Sequence, residues 1–252
     1  MNLMDKDEIL KFAIPSDGAL YESTLLFLQQ CGLNVNRESK RRYVGEIVFQ
    51  KGVFVLFQRA SDITSKVEEG NADIGILGHD RYLEIRKEDG PSDVVFENLG
   101  FGACALSIGV PNSWVDVTAM ADLADISMDF KERGLNLKIA TKFPRMVERF
   151  LLTNGISHFS LIESSGTLEV APAMGVADII ADITASGTTM RENALKTING
   201  GVILESEACL IVNSRTVESN EQKSSQARDF IRAIKACLES ESLSSNSGNN
   251  SE

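Results

Sequence analysis

Tryptophan occurs once, histidine twice, cysteine four times and proline five times in these 252 residues, and acidic residues outnumber basic ones by 36 to 25. Each scarcity removes a class of function. Cys31, Cys104, Cys209 and Cys237 lie far apart in apolar segments, with no Cys-x-x-Cys pair and only His79 and His158 to complete a ligand set. The thiols therefore read as reduced and buried, with no zinc site. A formal charge of −11 argues against general nucleic-acid binding, which rests on Lys and Arg neutralising phosphates. A phosphorylated ligand would have to be drawn in by local features against the global field. No run approaches the roughly 18 apolar residues of a membrane span. Residues 1–10 are acidic and mixed where an export signal would be basic and then apolar, so a cytoplasmic protein without a membrane partner is expected.

What is present is a globular composition, 43% hydrophobic and 24% charged, in which short β-rich runs alternate with amphipathic helices. That is the pattern of an α/β fold with largely parallel sheets. "ILKFAIPS" (9–16) reads as a strand, followed by a turn at Asp17-Gly18 and a helix closed by Gly32. Further strands are expected at 54–60, 72–78, 101–111, 137–144, 158–164 and 176–183. Ser61 and Asp80 read as openings of helices, and Pro144 suits the first turn of another. No internal repeat stands out. Phe230, Ile231, Ile234 and Leu238 share a helical face that should dock on something, whereas residues 241–252 have little to bury and read as a disordered tail.

The stretch richest in chemistry is "ADITASGTTMREN" (181–193). Alternation along the strand places the Asp182 carboxylate near its carboxyl end, where ligands of open α/β sheets gather. Ser186, Gly187, Thr188 and Thr189 then supply backbone N–H groups, hydroxyls and one residue that permits close approach. Thr189 with Glu192 fits a capping box, which would aim a helix N-terminus at a bound anion. On these residues alone two readings stand open: an anion site beside a carboxylate, or a helix cap whose hydroxyls satisfy only their own backbone.

Set in its surroundings, "SSGTLEVAPAMGVADIIADITASGTTMREN" (164–193), the stretch resembles the ATP phosphoribosyltransferases that open histidine biosynthesis. Ser165, Gly166, Glu169, Ala171, Pro172, Gly175, Ala177, Asp178, Ile180, Asp182, Gly187 and Thr189 match that family's pattern, with Met190 where it has Leu. "QRASDITSKVEEGNADIGILGHDRYLE" (58–84) is similar to a second block of the family. "FGACAL" (101–106), "IATKFPRMVERFL" (139–151) and "ESEACLIVN" (205–213) are similar to three shorter ones.

The resemblance implies a two-lobe α/β fold like that of periplasmic binding proteins, with a cleft between the lobes and a C-terminal helix. Residues 1–107 and 196–240 would form lobe I, and 108–195 lobe II carrying the phosphoribosyl-pyrophosphate loop. The implied reaction joins N1 of the ATP adenine to C1 of 5-phosphoribosyl 1-pyrophosphate and expels pyrophosphate. Asp182 would take the ribose hydroxyls and Ser186, Gly187, Thr188 and Thr189 the 5-phosphate. Glu169 is assigned to nucleotide or sugar, and Arg59 is a candidate clamp for ATP or pyrophosphate, with Lys142 and Arg145 as further candidates. Asp182, Glu169 and Arg59 form the implied catalytic set. Mg²⁺ would be held mainly through substrate phosphates. Only a short tail follows Asn213, which resembles the family's short form, so the implied assembly is a homodimer or a hetero-oligomer with a regulatory subunit similar to histidyl-tRNA synthetase. The apolar face of 227–238 is expected to meet the chain's own lobes or a second copy. Two departures stand out: Ser16-Asp17-Gly18-Ala19 and Ala105 occupy places where family members carry a basic residue. Alternatives of another class are a small-anion-binding protein without turnover and a degenerate regulatory paralogue.

Overall fold

Strand and helix alternate from Leu10 to Ser247 in the computed structural model, which describes residues 9–48, 52–163 and 167–247, with side chains as far as residue 240. In chain order the elements are β1 (Leu10–Pro15), α1 (Ala19–Gln30), β2 (Val35–Asn36), β3 (Val44–Ile47), β4 (Val53–Gln58), α2 (Ala60–Glu68), β5 (Ile74–Gly78), α3 (His79–Ile85) and β6 (Ser92–Phe96). There follow β7 (Cys104–Pro111), α4 (Met120–Glu132), β8 (Leu137–Thr141), α5 (Pro144–Thr153), β9 (Phe159–Glu163), β10 (Ile179–Thr184), α6 (Thr188–Glu192) and β11 (Leu195–Ser206). The chain closes with β12 (Ala208–Asn213), α7 (Ser214–Glu218) and α8 (Glu221–Ser247).

The chain divides into two units, Met1–Gly102 with Glu207–Glu252, and Ala103–Ser206. The first is built on a seven-stranded sheet of order β2-β3-β4-β1-β5-β12-β6, in which β1 runs parallel to β4 and β5 while β12 runs antiparallel to β5. One face buries Phe12, Phe57 and Ile76 under α1 and α8, and the other buries Ile63, Val67 and Leu77 with α2 and α3. The second unit has a five-stranded sheet of order β11-β7-β10-β8-β9, with β8, β9 and β10 parallel. Its larger core packs Leu123 of α4 and Val147 of α5 against Ile108, Ile139 and Ile179.

Several expectations shift in the structure. The unit boundaries lie before β7 and after β11, not at 107/108 and 195/196. Those two strands pair from Cys104 against Ser206 to Pro111 against Leu195, so both belong whole to the second unit. The short antiparallel pair β2–β3 carries no recognisable alternation and was not expected. The docking face of the C-terminal helix is met by the first unit itself: Phe230 and Ile234 are fully buried, and the Phe230 ring meets Phe12 edge-on at 4.6 Å. That helix runs to Ser247, into the stretch expected to be disordered, since an anchored helix gains one hydrogen bond for each residue it adds. Residues 248–252 lie outside the described residues. Only Cys209 is fully buried among the four thiols; Cys31, Cys104 and Cys237 are half-buried.

Candidate functional site

The central strand of the second unit, β10, is flanked by β8 and β7. Strand periodicity puts Ile180, Asp182 and Thr184 on one face. Ile180 is sealed there against Leu168, Ala171 and Met190, so the apolar packing under this face stops where Asp182 begins. The same packing fixes the neighbours of the carboxylate. Leu168, fully buried, holds the turn that carries Glu169, and Met190, 3% exposed, holds α6 and with it Thr189. The result is a pocket of about 130 Å³ lined by Glu169, Asp182, Thr184, Ser186, Thr189 and their neighbours. Asp182 is half-buried and accepts the Ile183 N–H on Oδ1 at 2.8 Å. Four of the residues selected from the sequence thus line one pocket. Ser165 and Gly166, the start of the same motif, lie outside the described residues.

The loop beyond β10 is held by its own hydroxyls. Thr184 Oγ1 accepts the Gly187 N–H at 2.7 Å, Ser186 Oγ accepts the Thr188 N–H at 3.4 Å, and the Ser186 and Thr188 hydroxyls are 2.9 Å apart. Gly187 sits at φ 68°, a left-handed conformation that costs other residues strain. Because this conformation starts α6 at Thr188, Thr189 falls inside the helix, and the Thr189–Glu192 capping box is not formed; the N-cap is Gly187, without a side-chain hydrogen bond. An unexpected residue completes the loop. Arg191 donates from Nη1 to the Ser186 carbonyl oxygen at 3.2 Å and from Nη2 to Thr188 Oγ1 at 3.0 Å. Its position four residues after Gly187, one helical turn back over the loop, was the available signal; in sequence it reads as an ordinary helix-surface charge.

Lys142 lies one residue beyond Thr141, which pairs with Ala181, so it stands at the level of Asp182 on the adjoining strand end. It is half-buried, and Arg145, in the first turn of α5, is exposed. Neither lines the pocket itself. Ala105 pairs with Thr184, which puts that departure from the family pattern at the root of the loop. Arg59 belongs to the first unit, where it is the exposed N-cap residue of α2. The helix therefore opens one residue ahead of the expected cap, and Ser61 donates its hydroxyl proton to Asp62 Oδ1 instead, at 2.9 Å. His79 packs at the start of α3 with Nδ1 3.5 Å from Glu97 Oε1. Cys209 is held as a thiol, its acidity suppressed first by burial and then by the charges of Asp80 and Glu97. Among the described residues no three His, Cys, Asp or Glu side chains converge as a metal-ligand group, and no helix is long and apolar enough to cross a membrane.

A carboxylate beneath a hydroxyl- and amide-rich loop is suited to a phosphorylated sugar, with hydroxyls on the carboxylate and phosphate on the loop. Comparisons with known proteins agree in their direction. A family model described as ATP phosphoribosyltransferase matches residues 59–236. The chain is 39% identical to an ATP phosphoribosyltransferase of Brucella melitensis over 88% of this chain and 96% of that protein. It is 35% identical to one from Mesorhizobium japonicum over 91% and 100%. With the chloroplastic ATP phosphoribosyltransferase 1 of Arabidopsis thaliana it shares 35% identity over 95% of its own length, spanning 58% of the plant protein. Among solved structures it is similar to the ATP phosphoribosyl transferase (HisG:HisZ) complex from Thermotoga maritima, at 25% identity and a TM-score of 0.69, covering 92% of this chain and 99% of that one. The alkanesulfonate-binding protein SsuA from Xanthomonas axonopodis shares the fold alone, at 15% identity and a TM-score of 0.51 over 94% of this chain and 76% of that one.

Proposed function

The chain belongs to the ATP phosphoribosyltransferase family, whose reaction opens histidine biosynthesis, and we propose that it performs this reaction around the pocket at the carboxyl end of β10. N1 of the ATP adenine is joined to C1 of 5-phosphoribosyl 1-pyrophosphate, and pyrophosphate leaves. The observation that carries the placement is the convergence of Glu169, Asp182, Ser186 and Thr189 on one pocket.

Displacement at an anomeric carbon builds oxocarbenium-like positive charge on the sugar while the leaving group gains negative charge. Groups aimed at both lower the barrier most. Asp182 accepts hydrogen bonds from the ribose hydroxyls and sets a negative charge beside the cationic ring. Ser186, Gly187, Thr188 and Thr189 hold the 5-phosphate, so the sugar is fixed at both ends and C1 presents a single face to the nucleophile. Glu169, on the same pocket wall, orients sugar or nucleotide. Adenine N1 brings its own lone pair, so no general base is required. Lys142, Arg145 and Arg59 are the cations assigned to the nucleotide and pyrophosphate charges. The carboxylate oxygens of Asp182 and Glu169 would suit Mg²⁺, a hard ion that would neutralise pyrophosphate charge and be held mainly through the substrate phosphates. That the similar Thermotoga maritima structure is a HisG:HisZ complex supports reading this chain as a catalytic subunit that works with a separate partner.

The test is to incubate the chain with ATP, 5-phosphoribosyl 1-pyrophosphate and Mg²⁺, with and without a synthetase-like subunit, and to follow phosphoribosyl-ATP by ultraviolet absorbance. Product should form, and Asp182→Asn should lower kcat/KM on the order of 10²-fold by removing the charge opposite the developing cation. A folded chain that makes no product in either condition sinks the proposal.

A further inference from the structure

The stretch from Asp182 to Met190 contains one carboxylate and no cation. A phosphate dianion held there by hydroxyls and amides alone would meet the field of a chain with a formal charge of −11. Ala105, at a place where the family pattern has a basic residue, stands beside Thr184 at the root of the loop and supplies no charge there. α6 is five residues long, too short to contribute much of a dipole. The nearest positive charge along the chain is Arg191, folded back onto the loop it follows.

We infer that Arg191 is the positioning residue of this loop: its guanidinium braces Ser186 and Thr188 in the phosphate-accepting conformation and supplies the counter-charge for the 5-phosphate. The inference rests on reading the loop as the 5-phosphate cradle. Donor accounting supports it. A guanidinium has five N–H donors in a fixed plane, and Arg191 places one on the Ser186 carbonyl and one on Thr188 Oγ1. Among the described residues it makes no other hydrogen bond or ion pair, so three donors remain for the oxygens of a ligand in the same loop. The geometry also ties Arg191 to the Gly187 position. A Cβ there would stand 3.1 Å from Arg191 Nη1 as well as occupying a strained φ of +68°. Glycine at 187 thus keeps both the left-handed turn and the room the guanidinium occupies. Lysine could restore the charge but not the planar fork that reaches two acceptors at once.

The experiment uses the full chain and separates binding from turnover. Ribose 5-phosphate is titrated calorimetrically into the unchanged chain, Arg191→Gln and Arg191→Lys, and the KM values for 5-phosphoribosyl 1-pyrophosphate and for ATP are measured in parallel. A lost charge-assisted contact predicts that Arg191→Gln weakens ribose 5-phosphate roughly 10- to 100-fold and raises the KM for phosphoribosyl pyrophosphate by a similar factor. The KM for ATP should stay within about twofold, the melting temperature should be unchanged, and Arg191→Lys should recover part of the binding. Ribose 5-phosphate affinity that survives Arg191→Gln within about threefold overturns the inference. So does an equal rise in both KM values, which would mark a merely structural role. If ribose 5-phosphate does not bind the unchanged chain at all, the assignment of the loop itself falls.

Discussion

The two units contain the same five-residue turn in different surroundings. Gly70-Asn71-Ala72-Asp73-Ile74 leads into β5, and Gly175-Val176-Ala177-Asp178-Ile179 leads into β10. Both glycines are left-handed, at φ 74° and 69°. In both turns the aspartate clamps the neighbouring parallel strand at two points. Asp73 accepts the Lys11 N–H at 2.8 Å and returns its own N–H to the Lys11 carbonyl at 2.8 Å; Asp178 does the same with Lys138 at 2.7 and 2.8 Å. The carboxylate is part of the turn, mimicking one more rung of the sheet. The difference is what covers it. Asp73 is fully buried, and its second oxygen meets Lys223 Nζ of α8 at 3.2 Å, whereas Asp178 is half-exposed and makes no ion pair among the described residues. The repeat therefore reports architecture, and neither aspartate belongs to the chemistry.

Breaking the covered version should cost most. Lys223→Met leaves a buried carboxylate without its counter-charge, and removing one partner of such a pair destabilises by about 3–5 kcal/mol. Urea unfolding should show that loss, and adding Asp73→Asn to Lys223→Met should return part of it by removing the stranded charge. A single variant that unfolds within about 1 kcal/mol of the parent would mean that α8 contributes packing alone.

The open version should cost less. Asp178→Asn keeps an acceptor oxygen for the Lys138 N–H but loses the charge on that hydrogen bond, an effect of about 1–2 kcal/mol where solvent reaches the group. Measured in the same urea series, it should fall clearly below Lys223→Met. Equal losses would show that the clamp, not its cover, sets the energy. Because Asp178 immediately precedes β10, which carries Asp182, KM for phosphoribosyl pyrophosphate is the sensitive secondary readout.

Sequence and structure agree where local chemistry dominates. Pro144 does open α5, and Asp182 with the Ser-Gly-Thr-Thr loop does stand at a strand's carboxyl end, because alternation and turn residues act over a few neighbours. The pocket wall formed by Glu169 was legible only through the family resemblance, since Leu168 reaches β10 by tertiary packing that no period records. Two helix starts, Ala60 and Thr188, lie two residues ahead of where the caps Ser61 and Thr189 place them, and they share a cause: a hydroxyl residue reads as the cap where backbone conformation at Arg59 and Gly187 has already begun the helix. Arg191 is not legible in the sequence because a charge on a helix surface ordinarily faces water, and here the five-residue helix is too short to carry its last turn away from the loop. The repeated turn escaped notice because its shared letters, Gly-x-Ala-Asp-Ile, are few and its surroundings differ.

The units differ in one more respect, which gives the smallest effect. In the first, α1, α2 and α3 begin at Gly18, Arg59 and Gly78 with no side-chain cap, and α7 and α8 are capped by the neutral amide oxygens of Asn213 and Asn220. In the second, the carboxylate of Asp122 gathers three donors at the start of α4: the Thr118 N–H at 2.8 Å, the Thr118 hydroxyl at 2.9 Å and the Ala119 N–H at 2.9 Å. These bonds, led by the Thr118 N–H, hold Asp122 below its ordinary value of 3.8, with burial opposing and Lys196 adding a weak attraction. A depressed carboxylate stabilises the fold fully above that ordinary value, and the contribution is lost as pH falls through the lower folded value. At pH 7 Asp122→Asn should therefore melt slightly below the parent, and the gap should narrow as the pH falls below 3.8. Melting curves collected from pH 7 downward decide it: a gap that stays constant into the acid range would assign the cap to hydrogen-bond geometry and remove charge from the account of what the Asp122 carboxylate adds at α4 over the neutral amide caps of α7 and α8 in the first unit.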